Sequence, residues 1–165
     1  MSDRADYVES YSTKVNQAGS EAAKRELFKS LLERLFNEND RAREIIDDMS
    51  LGAESVVDVP LPERTKTGYA DTQYGRVIIE FKDDLNKDEG DARNQLAEYV
   101  AGNWESGEDY NFTLLATDCK NWKVYAPDHK KLVGNENITV DDVELEETES
   151  FQIDEDQPDE TFYFL

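Results

Sequence analysis

The first strong periodicity falls in residues 20–37, SEAAKRELFKSLLERLFN, where Leu27, Phe28, Leu31, Leu32, Leu35 and Phe36 recur at spacings of three and four. That spacing predicts an amphipathic helix, and Ser20 after Gly19 supplies its N-cap. At about 100° per residue, Glu21 projects within the apolar arc and Glu26 points away from it. Residues 40–49, DRAREIIDDM, predict a second, shorter helix ended by Ser50–Gly52. VVDVPLPERT (56–65) reads as extended, with Pro60 and Pro62 breaking it. The period then changes. In GYADTQYGRVIIEFK, residues 68–82, GYAD reads as a strand, TQYG as a tight turn and RVIIEFK as a strand, together a hairpin. Helical spacing returns over 91–104, DARNQLAEYVAGNW, with Leu96, Tyr99 and Val100 apolar. NFTLLATD (111–118) and NWKVYAPD (121–128) read as strands joined by the turn DCKN, and ITVDDVELEE (138–147) as a weaker one. Helix, strands, helix, strands is the order of an α/β fold with helices packed on a sheet. Residues 1–153 read as one domain. Residues 154–165 read as an acidic linker and the start of a further apolar element, TFYFL, as expected of the front part of a longer chain.

Composition narrows the class. The chain of 165 residues has 39 acids against 18 Lys and Arg, a net charge of −21. Such charge is shared with disordered chains, but 10% aromatics and the periodic apolar runs require a folded core. The tail from Asn135 to Leu165 carries no Lys or Arg and is the segment closest to the disordered class. The acids are scattered through every segment, as in proteins adapted to high internal salt, and the composition resembles that of haloarchaeal proteins. Mimicry of a nucleic acid and an ordinary acidic surface are the other readings. A lone cysteine, Cys119, excludes an intrachain disulfide and a cysteine-based zinc or iron–sulfur site. The N-terminus has no apolar core of signal-peptide type, and no run reaches the length of a membrane span. A cytoplasmic protein with no membrane partner is expected.

The chemistry lies in the hairpin. Alternation puts Val77, Ile79 and Phe81 on one face of the strand and Ile78, Glu80 and Lys82 on the other. The preceding strand brings Asp71 alongside, so Asp71, Glu80 and Lys82 can converge. Two carboxylates brought together repel unless a cation sits between them. Carboxylates and water are the hard oxygen ligands of magnesium, and a lysine beside them can orient water or offset charge on a phosphate. The set suits metal-assisted hydrolysis of a phosphodiester. An exposed Glu/Lys pair on a strand, worth little, is the competing reading, as is a first-turn dipole role for Glu21.

GYAD, IIEFK and QLAEY together resemble the PD-(D/E)XK nuclease superfamily, in particular its RecB-like branch. The pattern is G-x-x-D, then (D/E)-x-K on a strand, then Q-x-x-x-Y on a helix. Here it falls on Gly68 and Asp71, Glu80 and Lys82, and Gln95 and Tyr99. The resemblance implies a restriction-endonuclease-like core, a mixed β-sheet flanked by helices. It implies Mg2+, with Mn2+ able to substitute, held by Asp71 and Glu80, and Lys82 assisting the water. Gln95 and Tyr99, which share a helix face, would support the site or the DNA backbone. The family's acid on the first helix matches Glu21, a further metal-side candidate. LLATDCKNWKVY resembles a segment that follows the nuclease core in restriction enzymes, with Cys119 where a glycine is usual. The resemblance spans about residues 20–126 and is nearest to the nuclease domain of restriction–modification enzymes, with DNA as substrate. A methyltransferase or specificity domain would stand in the same or a partner chain.

DNA binding draws on Lys and Arg contacts to phosphate, and this surface is acidic. At 1 M salt the Debye length is about 3 Å, so the repulsion would be short-ranged. Arg64, Lys66, Arg76, Lys87 and Arg93 are the DNA-binding candidates near the site. The alternative to an endonuclease is a catalytically inactive nuclease-like domain or an acidic DNA mimic. An RNA hydrolase on the same fold is a third reading. His129 reads as a surface turn residue, Trp104 and Trp122 as core or core-edge residues, and Cys119 as no nucleophile.

Overall fold

The computed structural model describes residues 2–48, 55–60, 65–70, 72–74, 76–107 and 111–164. Three helices come first: α1 (Ser2–Gln17), α2 (Glu21–Leu35) and α3 (Asp40–Asp48). Strands β1 (Ser55–Pro60), β2 (Thr65–Ala70), β3 (Thr72–Tyr74) and β4 (Val77–Phe81) lead into the long helix α4 (Leu85–Glu105). Then follow β5 (Thr113–Thr117), β6 (Asn121–Pro127), the short helix α5 (His129–Leu132), a 3-10 turn (Val140–Asp142), β7 (Leu145–Gln152) and α6 (Pro158–Phe164).

Five strands form one mixed sheet in the order β3-β4-β5-β6-β7, and β1 and β2 form a separate antiparallel pair lying along α4. Among the described strands only β4 and β5 run parallel, with Glu80 opposite Ala116. The connection between them is α4, as a parallel pair requires a crossover. β7 is an edge strand whose Glu146, Glu147 and Glu149 are exposed charges that blunt pairing with another chain.

Helices cover both faces of the sheet. On one face, α4 packs Ala92, Leu96, Tyr99 and Val100 with Ile78, Leu114, Ala116 and Tyr125. On the other, Tyr11 and Val15 of α1 and Phe28 and Leu31 of α2 meet Ile79, Phe81 and Trp122. The Phe28 ring lies 5.7 Å from that of Phe81 and 5.5 Å from that of Trp122. Full burial of a side chain such as Phe81 contributes about 1.5–3 kcal/mol. β4 is therefore buried on both sides, and the alternation of Ile78 and Glu80 against Ile79 and Phe81 separates two cores rather than core from solvent.

The expected helix over 20–37 is α2, capped as anticipated by Ser20, whose Oγ accepts from the Ala23 amide at 3.2 Å. Several boundaries differ. α1 was not anticipated, because its buried Val8, Tyr11 and Val15 are a thin stripe on an otherwise polar helix. α4 starts six residues before the expected 91, where LNKDEG lacks apolar spacing; Asp84 caps it, accepting from Asn86 N at 3.1 Å. The hairpin turn is not TQYG. Thr72–Tyr74 is strand β3, which pairs with Val77–Ile79 of β4. Gly68–Ala70 belong to β2, which pairs with β1 rather than with β4. ITVDDVELEE splits into the 3-10 turn and the start of β7, which runs on to Gln152. His129 begins α5 with its ring edge on Trp104, centroids 5.3 Å apart, rather than standing in an open turn. At the C-terminal end, α6 packs against α1, with Arg4 paired to Asp159 at 3.0 Å.

Candidate active site

Glu80 and Lys82 stand where β4 ends and the chain turns into α4, on the α4 side of the sheet. Their side chains are 3% and 6% exposed. Lys82 Nζ donates to Glu80 Oε1 at 3.1 Å. It donates also to Gln95 Oε1, and it pairs with Asp91 Oδ2 at 2.9 Å. An ammonium has three N–H donors, and here each has an acceptor. Burial pulls the Lys82 pKa down, but the hydrogen bond to Asp91 and the charge and hydrogen bond of Glu80 outweigh it, so it lies above the ordinary lysine value. Removing two charges from water costs several kcal/mol per ion unless the geometry compensates. The low-value exposed strand pair is thereby excluded as a description of Glu80 and Lys82.

Three segments hold the end of β4 in place. The first is the turn after β5. Asp118, 5% exposed, accepts from Leu85 N at 2.9 Å, Lys120 N at 2.9 Å and Asn121 N at 2.7 Å. One carboxylate thus ties the first turn of α4 to the β5–β6 turn, an Asx-type arrangement. Thr117 O accepts from Lys82 N at 2.9 Å, continuing the parallel ladder one residue past β4. The second is α2, whose Lys24 is 5% exposed and donates from Nζ to Lys82 O at 3.3 Å and to Asp83 O. The third is α1, which acts through the β5–β6 turn: its Tyr11 hydroxyl donates to Cys119 O at 3.1 Å, next to Asp118.

Cys119 itself adopts φ 69°, the left-handed region, where a side chain is costly and glycine is not. The buried thiol is pushed up to about 12, so it is a packed side chain and not a nucleophile.

Of the expected site residues, Glu80, Lys82 and Gln95 are brought together. Tyr99 is 2% exposed in the core on the same face of α4, where it fixes the helix against the sheet. Glu21 is half-buried in the first turn of α2, and its neighbour Lys24 is the α2 side chain that reaches the end of β4. Asp71 and Arg64 lie outside the described residues; Thr72, next to Asp71, pairs with Ile79, next to Glu80. Lys66 lies on β2 opposite Val59.

The remaining basic candidates are dispersed. Arg76 is exposed in the β3–β4 turn. Lys87 pairs with Asp84 at 2.7 Å on the exposed first turn of α4, which raises its pKa. Arg93 lies 5.3 Å over the Tyr125 ring and donates to Leu145 O, so it anchors α4 to β6 and β7.

Sequence reasoning missed Asp91, Asp118 and Lys24. Each left a signal. Asp91 is i−4 to Gln95 on the same helix face, Lys24 is i−4 to Phe28 on the buried stripe of α2, and Asp118 opens a turn that Asp favours. Among the described residues no group of three or more His, Cys, Asp or Glu is gathered as a metal cage, and no helix is long and apolar enough to cross a membrane. In comparisons with known proteins, no family model, curated protein or solved structure matches the chain.

Proposed function

We propose that the chain is a magnesium-dependent phosphodiester hydrolase, the DNA endonuclease domain of a restriction system built on a restriction-endonuclease-like core. The observation that carries the reading is the buried convergence of Glu80 and Lys82 from β4 with Gln95 from α4. A surface ion pair needs neither that burial nor a third partner on another element. The motif resemblance of Asp71, Glu80, Lys82, Gln95 and Tyr99 supports the same assignment.

The donor chemistry fits a small hard cation. Glu80 offers a carboxylate at a strand end, Asp71 is the second ligand in the motif, and Glu21 stands half-buried on α2. With few protein ligands the rest of the shell is water, the coordination magnesium favours. When bound, the metal would supply a more acidic water and polarise a phosphoryl oxygen.

The chain's own residues do the remainder. Glu80 and Gln95 fix the position of the Lys82 ammonium. Lys82 is held charged, to orient water and offset charge developing on the phosphate. Tyr99 and Asp118 set where α4 lies relative to β4. Arg76, Lys87, Lys66 and Arg64 are the candidate phosphate contacts, with the acidic surface screened at high salt.

A non-catalytic nuclease-like domain is favoured by one observation: all three donors of Lys82 are satisfied within the chain. Calorimetric titration of magnesium and manganese in molar potassium chloride separates the two. Wild type is compared with Asp71→Ala and Glu80→Gln, with circular dichroism to verify folding. Saturable binding lost in both folded variants supports the hydrolase, and plasmid cleavage is then assayed. Weak binding unchanged across all three proteins returns Glu80 and Lys82 to a structural pair and ends the metal-dependent reading.

A further inference from the structure

The acceptors of Lys82 differ in one respect that the proposed function does not use. Glu80 is 3% exposed, whereas Asp91 is 69% exposed. Gln95, one turn along α4 from Asp91, is half-buried and uncharged. Asp91 is therefore the solvent-facing acceptor of a cation that is otherwise enclosed. An anion arriving at Lys82 from solution on this side meets the Asp91 carboxylate first, and that carboxylate already sits where a phosphate oxygen would hydrogen-bond.

The two ion pairs also differ in how readily they break. Separating a buried pair strands charge in a poorly solvated place. Separating a pair whose acid is mostly in water costs little, because the freed carboxylate is rehydrated. Of the three contacts of Lys82, the one with Asp91 is the least costly to break.

We propose that Asp91 is an anionic placeholder on Lys82, displaced when a backbone phosphate of the nucleic acid binds. Asp91 is thus a positioning residue. It keeps the ammonium at the mouth of the site when no substrate is present, and it competes with the substrate for it. The inference rests on the nuclease reading and assigns the site a built-in competitor for phosphate. An acid at this position also contributes to rejecting anions that cannot outbid a single carboxylate, so a phosphodiester flanked by further contacts is favoured over free inorganic phosphate.

The test is binding of a short fluorescent DNA duplex by anisotropy, without divalent metal, at fixed potassium chloride. Asp91→Ala is expected to tighten binding about two- to fivefold, the range an exposed ion pair spans. Asp91→Glu, which can re-form the pair, is expected to return affinity to the wild-type value, a rescue that a merely structural role does not predict. Asp88→Ala removes the same charge from the same helix without touching Lys82 and controls for general repulsion. In a Lys82→Ala background, Asp91→Ala is expected to do no more than Asp88→Ala does.

Equal tightening by Asp91→Ala and Asp88→Ala in the wild-type background overturns the placeholder and leaves the nuclease reading standing. Weaker binding by Asp91→Ala also overturns it. No duplex binding by wild type or by Asp91→Ala overturns the placeholder, while the nuclease reading is decided separately by the metal titration.

Discussion

Replacing Asp118 by alanine is expected to be among the most damaging substitutions outside the hydrophobic cores. The carboxylate is 5% exposed and serves three backbone amides, Leu85, Lys120 and Asn121. The Leu85 amide is buried, so losing its bond to a charged acceptor costs about 1.5–3 kcal/mol. The other two amides are part-buried and can be partly rehydrated, at about 0.5–1 kcal/mol each. The loss is then about 3 kcal/mol, a large share of the 5–15 kcal/mol typical of a domain. In urea denaturation, with m of about 1–3 kcal/mol/M, the midpoint should fall by about 1–3 M. Asp118→Asn keeps one carboxamide oxygen and should lose roughly half as much. Because Leu85 opens α4, the proposed magnesium binding should also weaken in the alanine variant even where it is fully folded. A midpoint within 0.2 M of wild type for the alanine variant would refute the reasoning, as would asparagine being as damaging as alanine.

Four further outcomes follow from the same geometry. Cys119 sits at φ 69°, so Cys119→Gly should be at least as stable as Cys119→Ala, the reverse of the usual order by about 0.5–1 kcal/mol; calorimetric melting of the two compares them. The thiol, buried and pushed up to about 12, should resist a disulfide-exchange reagent near neutral pH and react only at the rate of unfolding, while prompt stoichiometric labelling of the native protein would contradict its burial. Ser20→Ala removes the α2 cap and should cost about 1 kcal/mol, read by urea denaturation. Glu89 accepts from Lys123 at 2.8 Å and Tyr125 at 3.1 Å, and chiefly the Lys123 bond lowers its pKa. Its stabilisation is therefore complete above the ordinary glutamate value and lost as pH falls through the depressed folded value. Wild type should lose stability more steeply than Glu89→Gln on acidification from about pH 6 to 3, and parallel curves would refute the assignment.

Much of this protein was legible from residue order. The leucine and phenylalanine stripe of α2 with its Ser20 cap is local information, because helix period and capping depend on neighbours within four residues. The β-branched centre of β4 and the alternation in β5 and β6 are local in the same sense. So is the Gln95–Tyr99 spacing, which places both on one helix face, and the E-x-K spacing, which places Glu80 and Lys82 on one strand face. Pairing is not local. That Gly68–Ala70 would join β1 and leave Thr72–Tyr74 to β4 depends on which partner strand is within reach. No alternation in GYADTQY distinguishes them. The same holds for α1, whose polar sequence becomes a core helix only because Tyr11 and Val15 find a hydrophobic face to cover.

The site divides along the same line. Spacing alone placed Glu80 and Lys82 on one strand face, and Gln95 was named through the motif resemblance, since its spacing by itself does not tell it from a surface glutamine. Whether the pair was exposed or buried was settled only by the sheet lying between α4 and the α1–α2 layer, which removes water from both sides of β4. Asp91, Lys24 and Asp118 entered for that reason too. A charge buried by tertiary packing must be met by charges and dipoles from elsewhere in the chain, and which ones arrive depends on where distant segments cross.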